Sequence, residues 1–163
     1  MNSQPRHQGG WLILVSFLLA YVLTVLPLPE VLERARPEWV ALVLIYWCMA
    51  VPERVGVTIG WTVGLIQDAV QSTLLGQHAL TYAVLAYLTL KLHQRVRVFP
   101  IWQQAISVMI LLLLVRMILL WVAGITGQSA TGWPSWVPAF TGTLLWPVLF
   151  VFMRELRRSF NVR

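Results

Sequence analysis

The segment from Pro52 to Leu80 constrains the fold more than any other part of the chain. A stripe of small residues and one carboxylate recurs in it every four positions, at Gly56, Gly60, Gly64 and Asp68. Residues with this spacing share one face of a helix. Glycine costs about 1 kcal/mol relative to alanine in an ordinary helix interior, but within a membrane it lets a neighbouring helix approach closely. The stripe therefore predicts a tightly packed helix whose carboxylate points into protein.

The composition indicates the class of protein that contains this helix. Of the 163 residues, 58% are hydrophobic and 11% are charged, whereas about a quarter of residues are charged in soluble domains. We therefore expect an all-α, polytopic membrane protein with a single transmembrane domain over residues 1–163. The net charge of +6 does not indicate nucleic-acid binding, because the cations lie between apolar runs, where they act as topology signals.

Six apolar runs predict six transmembrane helices, with approximate ranges 11–28, 39–51, 55–70, 75–90, 101–123 and 138–152. The first run is longer than a signal-peptide core and ends without a small-residue cleavage site, so we interpret it as a helix. The second run is short for a membrane core of ~30 Å. This helix should therefore lie steeply or take its ends from the membrane interface.

The distribution of lysine and arginine predicts the orientation of the chain. If the N-terminus is cytoplasmic, the other side of the membrane holds only Arg34 and Arg36, and Arg116 lies within the fifth helix. The remaining nine cations then share the cytoplasmic side: Arg6, Arg54, Lys91, Arg95, Arg97, Arg154, Arg157, Arg158 and Arg163. This asymmetry predicts that both termini are cytoplasmic.

Two charged residues lie deep within predicted helices. Asp68 follows Val55 by 13 residues and Arg116 follows Ile101 by 15, which places them roughly 20 and 22 Å from the cytoplasmic surface. We expect a buried polar site in which the two charges pair or share a network. Separate partners for the two charges, and a proton or ion relay, remain alternatives. An outward-facing cavity around them would include Gln67, Gln71, Ser72 and His78.

The sequence lacks the patterns of common catalytic and metal sites. His7, His78 and His93 lie on different segments without a carboxylate or thiol at ligand spacing. The single cysteine, Cys48, excludes an intrachain disulfide and a thiolate metal site. No G-x-S-x-G or H-E-x-x-H motif is present. We therefore expect no enzyme activity, no metal and no cofactor.

An ordered set of short motifs gives the chain a resemblance to one bacterial family. The motifs are RPEW (36–39), LVLIYW (42–47), VPERV (51–55), GLIQD with LLGQHAL (64–80), FPIWQQA (99–105) and LLWPVLFVFMRELR (144–157). Together they resemble MreD, the rod-shape-determining membrane protein family, in its proteobacterial form. The resemblance extends over nearly the whole chain.

The resemblance implies a non-enzymatic scaffold of the inner membrane that maintains rod shape. Its partner would be the bitopic protein MreC, in an assembly that links MreB filaments to the glycosyltransferase and transpeptidase that elongate peptidoglycan. A homodimer or a heterotetramer with MreC, surrounded by membrane lipid, would fit this role. The family is also distantly similar to the six-helix substrate-binding subunits of energy-coupling-factor transporters. That similarity keeps a second function open, the binding of a small molecule or lipid intermediate in an outward-facing pocket.

Overall fold

The computed structural model describes residues 9–128 and 132–162, which form helices and no strand. The predicted all-α class with six long helices is observed in this part of the chain. A five-residue helix, α2 (Glu30–Arg34), and a 3-10 turn (Trp133–Trp136) lie between long helices. The long helices are α1 (Gly10–Val25), α3 (Trp39–Ala50), α4 (Val57–Gln71), α5 (Gln77–Val96), α6 (Ile101–Ile125) and α7 (Val137–Ser159).

Two helices extend by six or more residues beyond the apolar runs that predicted them. α5 continues to Val96 rather than 90, and α7 continues to Ser159 rather than 152. The extensions are rich in leucine, lysine, glutamine and arginine, which favour helix after the apolar run has ended. α1 differs in the other direction and ends at Val25 rather than 28, because Pro27 and Pro29 cannot continue a helix.

α3 is the central helix of the bundle. Every residue from Val40 to Met49 is buried, and α1, α5 and α7 all pack against it. Its 12 residues span about 18 Å, which is much less than the ~30 Å hydrocarbon core of a bilayer. The helix therefore ends inside the protein, and a cavity lies at each of its ends.

The ends of several helices meet at one end of the bundle, which we refer to as the basic end. Arg157 of α7 donates a hydrogen bond from Nη1 to the backbone oxygen of Ala50, the last residue of α3, at 3.1 Å. Trp11 of α1 packs edge to face on Phe160, with 5.0 Å between ring centroids. Ile101, the first residue of α6, borders the same cavity as Ala50.

At the opposite end of the bundle, Arg36 secures the C-terminus of α1. Its guanidinium donates hydrogen bonds to the backbone oxygens of Thr24 and Leu26. The last carbonyl groups of a helix lack partners within the helix, and a cation is favourable beside them. Arg36 therefore fixes the connection between α1 and α3.

Gly60 and Gly64 of α4 allow the closest helix contact in the bundle. A Cβ added at Gly64 would lie 2.4 Å from the backbone oxygen of His78, and one added at Gly60 would lie 2.7 Å from that of Tyr82. Neither position has room for a side chain unless α4 and α5 separate. At Gly56 a Cβ would make only an ordinary contact, at 3.8 Å. The close contact predicted for the stripe thus lies at Gly60 and Gly64, and Gly56, which precedes α4, takes no part in it.

Apolar side chains cover much of the surface of the bundle. Two helical segments in the described residues, Ile101–Ile125 and Trp133–Ser159, are long and apolar enough to cross a membrane. Large apolar side chains on both face outward, including Ile125 and Leu144, which are 83% and 79% exposed. Exposure of apolar surface to water costs about 25 cal/mol per Å². This surface is typical of a membrane protein.

Candidate functional site

The cavity at the N-terminal end of α3 has a volume of about 410 Å³, and we refer to it as the Glu38 cavity. α3, α4, α5 and α6 all contribute to its walls. Its polar lining includes Glu33, Arg36, Glu38, Gln67, Gln71, Thr73, Gln77, His78, Tyr82 and Arg116. Carboxylate, guanidinium, amide and imidazole groups around one cavity can orient a polar ligand.

Asp68 lies behind the wall of this cavity and caps α5. It is only 1% exposed. Its carboxylate accepts hydrogen bonds from the backbone N–H groups of Gly76 at 2.8 Å and His78 at 2.9 Å, and from the Thr73 hydroxyl at 3.0 Å. The first N–H groups of a helix lack partners within the helix, and negative charge is favourable beside them. Asp68 of α4 therefore fixes the start of α5, which begins at Gln77.

His78 connects the buried carboxylate to the cavity. Its Nδ1 lies 2.8 Å from Oδ1 of Asp68. Because a carboxylate accepts hydrogen bonds, Nδ1 carries the proton, and Nε2 is the ring nitrogen left for a partner. The imidazole also packs edge to face on Tyr82, with 5.6 Å between ring centroids. Asp68 and Tyr82 together hold the orientation of this ring at the cavity wall.

Arg116 pairs with Glu38 and not with Asp68, although this pair and the His78 partner of Asp68 border the same cavity. Its Nη2 lies 3.2 Å from Oε1 of Glu38, and the two side chains are 23% and 13% exposed, respectively. The predicted pairing of Arg116 with Asp68 is therefore wrong, and separate partners for the two charges are observed. The physical reason is that backbone N–H groups, Thr73 and His78 already surround the Asp68 carboxylate.

Of the four residues predicted for the pocket, Gln67, Gln71 and His78 line the Glu38 cavity and Ser72 does not. Ser72 is the residue after α4 and adopts a left-handed conformation with φ of 52°. That conformation turns the backbone away from the helix axis. Ser72 thus shapes the α4–α5 turn and is not a pocket residue.

Glu38 and Gln77 line the cavity although the sequence patterns did not predict them as site residues. The signal that points to Glu38 is the shortness of α3, because a 12-residue helix cannot place both of its ends at the surfaces of a ~30 Å membrane core. Gln77 has a buried Oε1 with no hydrogen-bond partner, as does Gln67. An unpaired buried acceptor costs about 1–3 kcal/mol. Both amides therefore favour an occupant that donates hydrogen bonds.

Comparison with known proteins identifies the family. The sequence profile described as "MreD: rod shape-determining protein MreD" matches residues 5–156. The chain belongs to the MreD family. It is similar to the rod shape-determining protein MreD of Haemophilus influenzae, with 32% identity over 159 residues that cover 96% of this chain and 97% of that protein. No solved structure matches the chain.

Membership in the MreD family supports a role in rod-shape determination. In this MreD-family chain, two of the six motifs that carry the resemblance contribute to the Glu38 cavity. RPEW supplies Arg36 and Glu38, and the segment from Gly64 to Leu80 supplies Gln67 and His78. These two motifs, which are distant in the sequence, thus meet around one cavity.

Proposed function

We propose that this MreD-family protein is a non-enzymatic scaffold of the rod complex, or elongasome, which carries out peptidoglycan synthesis during elongation of the cell wall. It spans the bacterial inner membrane six times and binds the single transmembrane helix of MreC. MreB, the glycosyltransferase and the transpeptidase then join through this complex. The complex contains one or two copies of each chain, so a homodimer or a heterotetramer with MreC is the assembly to look for by mass measurement.

The charge distribution supports an orientation with both termini in the cytoplasm. The described cations at or near the basic end are Arg54, Lys91, Arg95, Arg97, Arg154, Arg157 and Arg158. Glu53 and Glu155 are the acidic residues in the same segments. An excess of lysine and arginine marks the cytoplasmic side of membrane proteins. The basic end then faces the cytoplasm, and the Glu38 cavity faces outward.

The observation that carries the scaffold proposal is an apolar groove between α1 and α7, referred to here as the α1–α7 groove. Both helices pack on α3, and Trp39 and Val43 of α3 form the floor of a groove of about 320 Å³. Along α1 its lining runs from Leu12 to Leu23, a length of about 16 Å or three helical turns. This length matches a segment of a partner helix.

The lining of the α1–α7 groove suits a helix better than a polar ligand. Its side chains are apolar except for the hydroxyl of Ser16, and that hydroxyl is already engaged with Trp47 and the backbone of Ile13. Ser16 and Ala20 are small. Helices associate in membranes through close packing at small residues, because lipid is as apolar as the helices themselves.

Co-purification of MreC with tagged protein from the native host tests the groove. Leu19→Trp and Val148→Trp place a large side chain inside it, at positions that are 53% and 68% exposed. Leu18→Trp and Leu144→Trp are matched controls, because these residues are 63% and 79% exposed and do not line the groove.

We expect the two groove variants to lose MreC at unchanged protein yield, and both controls to retain it. Equal amounts of MreC with all four variants, quantified by mass spectrometry, would show that MreC does not bind in the groove.

A second candidate function is the binding of a small molecule or lipid intermediate in the Glu38 cavity. The unpaired Oε1 atoms of Gln67 and Gln77 favour it. Such a protein would be functionally similar to the substrate-binding subunits of energy-coupling-factor transporters, a likeness that stays a prediction. Mass spectrometry of molecules released from the purified protein tests this function. A compound retained by the natural chain and by Gln103→Leu, which lies outside the cavity, but lost from Gln67→Leu would support it.

A further inference from the structure

A second polar cavity, of about 340 Å³, lies at the C-terminal end of α3 and is referred to here as the arginine cavity. Arg97, Arg154 and Arg157 line it, and no aspartate or glutamate does. None of the three forms an ion pair in the part of the chain that the structure describes. Three positive charges therefore share one cavity without a negative partner.

The fold places the three arginines around one cavity, and it fixes one of them directly. Arg157 donates a hydrogen bond to the backbone oxygen of Ala50 at 3.1 Å, which fixes its guanidinium at the end of α3. Tyr46 also lines the cavity, and both Arg154 and Arg157 are near enough to act electrostatically on its hydroxyl. Like charges around one cavity repel one another, although solvent screens part of this repulsion because Arg97 and Arg154 are exposed. An anion among them replaces the repulsion with attraction.

The oxygen atom of a buried side-chain amide in the same cavity accepts no hydrogen bond. Gln104 is 4% exposed and lines the cavity. Its Nε2 donates to the backbone oxygen of Phe99 at 3.1 Å, and its Oε1 has no partner. Because an unpaired buried acceptor is costly, this oxygen favours a ligand that carries a hydroxyl group.

We propose that the arginine cavity binds a phosphate group that has a hydroxyl close to it. Guanidinium groups match phosphate oxygens in geometry and charge and form paired, charge-assisted hydrogen bonds with them. Two sources provide this chemistry, the headgroup of an anionic phospholipid and a soluble phosphate ester. The neighbouring Trp102 is 63% exposed at the start of α6, and exposed tryptophan is typical of the membrane interface, where headgroups lie.

Binding is measured on the full-length protein in detergent, by the rise in Tm with added ligand. The probes are short-chain phosphatidylglycerol, which carries a phosphate and hydroxyls, short-chain phosphatidylcholine, and glycerol phosphate. We expect phosphatidylglycerol to raise the Tm and phosphatidylcholine to have little effect. Arg154→Gln and Arg97→Gln should each weaken phosphatidylglycerol binding by about tenfold or more, the effect of losing one charge-assisted hydrogen bond.

Matched controls separate this site from the general positive charge of the basic end. Arg158→Gln and Arg95→Gln remove the same charge nearby, but neither residue lines the cavity. Both should bind phosphatidylglycerol as the natural chain does. Equal weakening in the cavity variants and the controls, or no rise in Tm with any phosphate-bearing probe, would overturn the proposal.

Two further results locate the ligand more closely. Glycerol phosphate that raises the Tm as strongly as phosphatidylglycerol, at the same concentration, identifies a soluble ester as the ligand. Gln104→Leu should weaken phosphatidylglycerol binding and leave the response to sulfate, an added oxyanion probe without a hydroxyl group at neutral pH, unchanged, because only the hydroxyl contact is lost. A loss of both responses in Gln104→Leu, with Arg154→Gln unaffected, would contradict the assignment of the arginines as the phosphate ligands.

Discussion

The two ends of α3 differ in how their charged side chains are paired and in how far they are exposed: Asp68 is buried, whereas Arg97 and Arg154 are exposed. At the Glu38 cavity, Asp68 is paired with His78 and Glu38 is paired with Arg116. At the arginine cavity, three guanidinium groups meet without a carboxylate. Paired charges are satisfied within the fold and hold helices in place. Unpaired charges of one sign leave their interactions available to something outside the chain.

The largest expected effect on stability is at the α4–α5 contact behind the wall of the Glu38 cavity. Gly64→Leu puts a Cβ 2.4 Å from the backbone oxygen of His78, so α4 and α5 must separate. We expect destabilisation beyond the ~1–3 kcal/mol typical of overpacking, and therefore little folded protein on size-exclusion chromatography. Gly56→Leu, with contacts no closer than 3.8 Å, serves as the control. Equal recovery of both variants would show that this wall is not rigid.

The next effect tests whether Asp68 belongs to a network separate from Arg116. Asp68→Ala leaves the N–H groups of Gly76 and His78 without their acceptor and should cost about 3 kcal/mol or more. Its effect on Tm should add to that of Arg116→Leu, because the two charges have different partners. It should not add to the effect of His78→Ala. Strong coupling between the effects of Asp68→Ala and Arg116→Leu on Tm would instead show that the two charges interact directly.

A smaller loss of stability is expected at the Arg116–Glu38 pair, which lines the Glu38 cavity. Arg116→Leu leaves Glu38 without its ion-pair partner, but both side chains keep some exposure, so the cost should be about 1–2 kcal/mol and below that of a fully buried pair. Adding Glu38→Gln should recover part of the lost Tm. A double variant less stable than Arg116→Leu alone would mean that Glu38 has another essential role.

The smallest effect is expected at the arginine cavity. Arg154 has no carboxylate partner, so Arg154→Gln in the absence of anionic lipid should change the Tm by about 2 °C or less. Its effect should appear only when a phosphate-bearing ligand is added. If Arg154→Gln destabilised the protein as much as Arg116→Leu under the same conditions, Arg154 would have a structural partner, and the proposed contrast between paired and unpaired charges at the two ends of α3 would be wrong.

The helices were predictable from the sequence because a run of apolar residues indicates a buried or lipid-facing helix without reference to any other part of the chain. The run that starts at Trp39 predicts α3 with its first residue at the observed position. Helix ends were less predictable where polar helix formers follow the apolar run, as in α5 and α7. Hydropathy marks the lipid boundary, and a helix does not have to stop there.

The partners of the buried charges were harder to predict, because they depend on the relative depth and rotation of two helices. Asp68 and His78 lie on either side of a short turn, so a carboxylate at the end of α4 is well placed to meet the first N–H groups of α5. That pairing was accessible from the sequence. The pairing of Arg116 with Glu38 was not, because the short run at Trp39 suggests that a helix end lies below the surface but does not indicate which helix faces Glu38.

The brevity of α3 has an electrical consequence. The potential across an energised membrane falls mainly where the dielectric constant is low. In the membrane-spanning topology proposed above, the layer between the two polar cavities is reduced to α3, about 18 Å instead of ~30 Å, so the field there would be about 1.7 times stronger. Moving one elementary charge through the full drop changes the energy by about 2.3 kcal/mol per 100 mV. A ligand that enters either cavity from its own side crosses little of this drop, so the stronger field acts on the dipoles and side chains of α3 and not on the occupancy of the cavities.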